Sequence, residues 1–159
     1  MPIPPFLAEL RSYVGTRPLW LSGVGAVVVD DAGRVLLGRR ADSGAWAVIG
    51  GILDPGEEPA DCVVREVYEE AGVVVEPELL TSVTVSPMTQ YPNGDQAQYL
   101  DLTFRCRLVS GEARVNDDES LEITWFAPED FPELDEYTTL RVTHALAGKP
   151  EAAFARTAG

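Results

Sequence analysis

Glu66, Glu69 and Glu70 stand at relative spacings of three, four and one. On a helix that turns about 100° per residue, those spacings gather three carboxylates on one sector. Residues 58–71 carry the pattern of such a helix: Ala60, Val63, Val64, Val67 and Ala71 form an apolar stripe able to pack on a sheet, and Gly72 is the expected stop. The acids fall in its C-terminal half, where mutual repulsion and the negative end of the helix dipole both disfavour them. A hard divalent cation offsets that cost, since Mg2+ takes carboxylate oxygens, keeps several waters and bridges carboxylates to phosphates. Upstream, Gly50 and Gly51 let the backbone approach closely, and the Gly50 carbonyl is a candidate further oxygen ligand. Arg65 beside the acids and Glu57 ahead of the helix suit a bidentate pair that ties loop to helix, a positioning role.

The elements that must hold these residues alternate in type. Residues 6–14 read as a short helix with Phe6, Leu10 and Val14 on one side. A valine-rich strand over 21–29, a turn at 30–33 and a strand over 34–37 make a hairpin. An apolar run at 46–49 ends at the paired glycines, and a turn at 54–56 precedes the acidic helix. Strands follow over 73–75, 79–85, 98–109 and 121–126, then a helix over 138–146 and a small, polar tail over 150–159. The expected organisation is an amino-terminal extension (1–20), one domain (21–147) and a carboxyl-terminal tail (148–159).

Composition narrows the function. With 12 Lys and Arg against 26 Asp and Glu, a formal charge of −14 and Lys149 as the single lysine, the chain is unsuited to gripping long nucleic acid. A phosphate ligand would need local cations, from arginine or a metal. Cys62 and Cys106 are too few for a disulfide framework or a zinc site, and His144 is the only histidine. The start, Met1-Pro2-Ile3-Pro4-Pro5, lacks the basic segment and apolar run of a signal peptide, and no apolar stretch reaches the length of a membrane span. A cytoplasmic location and no membrane partner are the expectations.

Taken in order, Gly51, five residues, Glu57, seven residues, Arg65-Glu66-Val67, one residue, Glu69-Glu70, one residue, Gly72-Val73 resembles the Nudix box throughout. The broader similarity to bacterial Nudix hydrolases of the antimutator and ADP-ribose-pyrophosphatase kind runs over about residues 21–134. It departs at Ile49, where many members have proline. The resemblance implies an α/β fold, an α/β/α sandwich around a mixed sheet. It also implies Mg2+, with Mn2+ as a substitute, held by Glu66, Glu70, Glu69 and the Gly50 carbonyl, with Glu57 and Arg65 as a structural or outer pair. The implied reaction is hydrolysis of the phosphoanhydride of a nucleoside diphosphate linked to another group, by water activated at the metal.

Glu66 is the first candidate for the base that takes the water's proton, and Glu119, in the acidic loop 116–120, is the alternative. For the substrate, Arg39 and Arg40 are candidate phosphate donors, of which strand alternation lets one face the cleft. Met88 and Tyr91, beside the turn at 91–95, are candidate base contacts. Trp20, Trp46 and Trp125 are expected to pack around the sheet. Pro87 and Tyr91 do not choose among ADP-ribose or nucleotide sugars, nucleoside triphosphates and dinucleoside polyphosphates. Two other readings stay open: a catalytically silent nucleotide sensor, and an isoprenoid diphosphate isomerase of related fold. The partners implied are a small nucleotide-type substrate and, from the amino-terminal segment and family habit, a second copy in a homodimer.

Overall fold

A computed structural model describes residues 3–157. Its central strand β1 (Leu19–Val29) runs LWLSGVGAVVV, apolar on both sides because it is covered on both. Val24, Ala26 and Val28 point into one core, while Val27 and Val29 point into another and Leu21 into a third. β1 pairs antiparallel with β2 (Val35–Arg40) and β4 (Ile49–Ile52), and β2 pairs antiparallel with β3 (Trp46–Ala47). On its other side β1 runs parallel to β7 (Gln96–Ser110), which pairs antiparallel with β5 (Val74–Val85) and with the short β6 (Thr89–Gln90). β8 (Ser120–Phe126) closes on β2. The sheet is therefore mixed.

Three helices cover it. Val63, Val67 and Ala71 of α2 (Pro59–Ala71) join the core made by Val24, Ala26 and Val28. Val142 and Ala145 of α3 (Glu136–Ala147) close the opposite core at Val27 and Val29, and Leu7 of α1 (Pro5–Val14) packs on Leu21. This is the α/β sandwich around a mixed sheet.

Several sequence expectations shift. Residues 73–75 and 79–85 belong to one strand, because bulges at Val74/Val75, Pro77/Leu79 and Leu80/Ser82 let β5 stay paired through Pro77. α3 begins two residues before 138, since Asp135 caps it by accepting from the Thr138 N–H at 2.6 Å. The tail is not loose at Ala153, whose N–H donates to Thr81 O at 2.8 Å and whose carbonyl accepts from the Val83 N–H at 2.9 Å, covering part of the β5 edge. The outermost ends of both tails, residues 1–2 and 158–159, lie outside the described residues. Trp46 packs edge-on against Phe126, whereas Trp20, expected to pack, is 58% exposed near the start of β1, where Ser22 on the same side is exposed too. Ala60, expected on the buried stripe of α2, is exposed, and Cys62 takes the inward place.

Candidate active site

Two of the three acids of α2 are turned inward, and Glu69 stays exposed. Glu66 is 2% exposed and Glu70 6%, so the buried face of the helix is wider than its apolar stripe. Both carboxylates lie against β4. The Gly50 N–H donates to Glu70 Oε1 at 3.3 Å, and a Cβ on Gly51 would fall on the Glu66 carboxyl group. A Cβ on Gly50 would meet the Val24 carbonyl, so both glycines are required by close approach. Ile49, where the resemblance has proline, is buried in β4 opposite Ala26.

Arg65 organises the outer rim. Its Nε donates to Glu57 Oε1 at 2.8 Å and one terminal nitrogen to Glu57 Oε2 at 2.9 Å, a fork that fixes the loop before α2. The other terminal nitrogen reaches Glu66 Oε1 at 2.7 Å and Glu69 Oε2 at 3.3 Å. The Asp54 N–H also donates to Glu57. The guanidinium holds the Glu57 carboxyl down at about 2, and Glu57 in turn raises Arg65.

The inner pair behaves in the opposite way. Burial pushes Glu66 up to about 7 against the pull of Arg65. Burial, followed by the negative charges of Glu119, Glu66 and Asp117, pushes Glu70 up to about 9. Glu66 Oε2 is buried without a hydrogen-bond partner among the described residues. A buried, partnerless carboxylate oxygen beside a second reluctant carboxylate fits a divalent cation, which would favour the charged form of both. As the side chains lie, no three His, Cys, Asp or Glu converge in metal-ligand geometry among the described residues, and Arg65 draws Glu69 outward.

The remaining candidate residues divide. Glu119 stands close enough for its charge to bear on both Glu66 and Glu70, and burial raises its own carboxyl. Arg40 acts electrostatically on Glu119 and Tyr91 while forking onto Asp42 at 2.9 and 2.6 Å. Arg39 turns away, its Nε donating to Gly44 O at 3.2 Å; a register shift in the β2–β8 pairing falls between the two arginines. The Tyr91 and Tyr99 hydroxyls meet at 2.6 Å, and Met88 is exposed. His144 is half-buried on α3. Both cysteines are buried, with thiols pushed up to about 12, which removes the nucleophile an isomerase reading would want.

Gly72 stops α2 as expected, but sequence reasoning missed the bonds from Arg114 and Asn116 that complete its cap. Gly72, at φ 68°, ends the helix with its N–H on Tyr68 O at 2.9 Å. The Arg114 N–H then donates to Ala71 O at 3.0 Å and the Asn116 N–H to Glu70 O at 3.0 Å. The signal was available: a helix with no basic residue in its last turn leaves carbonyls that some other segment must satisfy.

Residues 20–146 match the NUDIX domain family model. The chain belongs to the NUDIX family. It is 38% identical over 132 residues to a MutT-like protein of Streptomyces ambofaciens, covering 82% of this chain and 80% of that one. It is 30% identical over 128 residues to the NAD-capped RNA hydrolase NudC of Pseudomonas putida, covering 79% of this chain but only 42% of that protein's length. Among solved structures, an ADP-ribose pyrophosphatase from Streptococcus suis superposes with a TM-score of 0.64 at 25% identity, covering 80% of this chain and 90% of the other. This Nudix protein is an enzyme, a hydrolase of phosphorus-containing anhydrides.

Proposed function

We propose that this Nudix enzyme is a magnesium-dependent pyrophosphohydrolase that cleaves the phosphoanhydride of a nucleoside diphosphate linked to a second group. The observation that carries the reading is the pair Glu66 and Glu70, buried against Gly50 and Gly51 with Glu66 Oε2 unpartnered. Glu66, Glu70 and, once turned inward, Glu69 would hold Mg2+, or Mn2+ in its place, with the Gly50 carbonyl as a further ligand. The bound ion supplies charge neutralisation at the phosphate oxygens and a water of lowered pKa. Arg65 and Glu57 keep the loop and helix in register. Glu119, whose charge bears on the inner pair, and Glu66 are the candidates to accept the water's proton, and Arg40, beside Tyr91, is the donor for a terminal phosphate. Tyr91 and Met88 are proposed as contacts to the base, and Arg39 as an outer contribution to the field over the phosphates.

Names among the relatives support a nucleotide derivative: NudC acts on NAD-capped RNA, the Streptococcus suis protein on ADP-ribose. The sensor reading has less support, because Arg65, Glu66, Glu69 and Glu70 are all present. Among the described residues no helix is long and apolar enough to cross a membrane. A cytoplasmic location is proposed with it, and exposed Ile3, Tyr13 and Trp20 in the amino-terminal segment support a homodimer.

The test is a panel of ADP-ribose, nucleotide sugars, nucleoside triphosphates and dinucleoside polyphosphates with Mg2+, against an EDTA control. Metal-dependent release of nucleoside monophosphate or phosphate is the expected result. Binding without turnover across the panel would instead support the sensor.

A further inference from the structure

The segment between β7 and β8 is fastened to the end of α2 by the Arg114 and Asn116 backbone N–H groups and by one side chain, that of Asn116. Asn116 Nδ2 lies 3.1 Å from both the Tyr68 and the Glu69 carbonyl oxygens, and the Asn116 N–H donates to Glu70 O at 3.0 Å. Two carbonyl acceptors at that distance demand the NH2 end of the amide, which fixes its orientation without ambiguity. These are carbonyls of the turn that carries Glu69 and Glu70, so the clasp grips the site's own helix at the site.

The far end of the loop is fixed as well. The Ala41 N–H donates to Glu119 O at 2.8 Å, and Ser120, 7% exposed, enters β8 opposite Arg40. Only residues 117 and 118 lie between Asn116 and the anchored Glu119 carbonyl, a reach of about 3.3 Å per residue. Within that span the Glu119 N–H donates to Asp117 Oδ1 at 3.0 Å, which tightens the turn further. Glu119 therefore has little freedom over Glu66 and Glu70.

We propose that Asn116 is a positioning residue for hydrolysis: it clasps the C-terminal turn of α2 and thereby sets where Glu119 stands over Glu66 and Glu70. The inference rests on the reaction proposed above. A displacement of about 1 Å in a reacting group can cost on the order of 100-fold in rate, so a clasp remote from substrate has a kinetic signature.

The test compares Asn116→Ala and Asn116→Asp with Glu119→Gln, singly and combined, and with Val142→Ala in the α3 core as a destabilised control. Amide exchange at Ala41, read by NMR, should accelerate by about tenfold or more in both Asn116 variants, because its acceptor carbonyl is released, and should not in the control. Turnover should fall by about 10- to 100-fold with KM within about twofold. Asn116→Asp, which sets a carboxylate against two carbonyls, should be the worse of the two. Glu119→Gln should cost much less in the Asn116→Ala background than alone, the mark of two residues acting through one position. If the Ala41 amide stays protected, or the two penalties multiply, Asn116 is only a helix cap and the proposal fails. If the Ala41 amide opens but Glu119→Gln alone leaves kcat unchanged, the positioning role is overturned while metal-dependent hydrolysis stands on the helix carboxylates.

Discussion

Gly51 carries no side chain because the place a Cβ would occupy belongs to the Glu66 carboxyl. Its backbone φ is not positive, so Gly51→Ala tests space rather than strain. The substitution should push Glu66 off β4, lower kcat by about 100-fold or more, and weaken Mn2+ binding measured by calorimetry, while a circular dichroism spectrum stays native. Wild-type affinity in that variant would separate Glu66 from the metal. Glu57 offers a pH test with a defined sign. Arg65 depresses its carboxyl from an ordinary 4.5 to about 2, so its contribution to stability is present above 4.5 and lost as pH falls toward 2. Urea unfolding at pH 6 and pH 3 should show a smaller acid loss in Glu57→Gln than in the wild type. An identical loss in both would mean that the fork does not stabilise the fold.

At the scale of elements, α2 holds its acids inward because Val63, Val67 and Ala71 anchor it on the sheet beside Leu36 of β2, which is fully buried in the same core. Leu36→Ala should cost about 2–5 kcal/mol in chemical denaturation, while kcat per folded molecule stays within about twofold, because the cavity lies beneath the site and not in it. A matching collapse of kcat would mean that the core below α2 tunes the carboxylates directly. The helix and its acids were legible in the sequence through periodicity and spacing, and Gly50-Gly51 through the absence of side chains. What periodicity could not give was the depth of Glu66 and Glu70: a sector rule places them away from the valines, yet β4 reaches around the helix to cover them. Nor could it give Asn116 or Arg114, whose bonds to α2 join residues more than forty positions apart. Strand alternation separates Arg39 from Arg40, but it carries no mark of the register shift in the β2–β8 pairing that falls between them.

Over the whole molecule the charge of −14 sets how an anionic substrate arrives. Arg40 is a local cation beside Tyr91, but its guanidinium already forks onto Asp42, so long-range attraction is weak and the surrounding field is repulsive. Salt shortens the reach of that field to about 10 Å at 0.1 M, beyond which exposed charges are largely screened. The consequence runs opposite to that for an enzyme that steers its anionic substrate electrostatically. At fixed free Mg2+, kcat/KM should rise as NaCl is increased from low concentration toward about 0.1 M, with kcat nearly constant, because screening relieves repulsion during encounter and leaves the buried carboxylates almost untouched. Stopped-flow or initial-rate measurements at substrate well below KM read this directly. A steady fall with salt over the same range would mean that Arg39 and Arg40 create an attractive funnel strong enough to override the net charge, and would make the β2 arginines, rather than the metal face, the dominant source of substrate attraction.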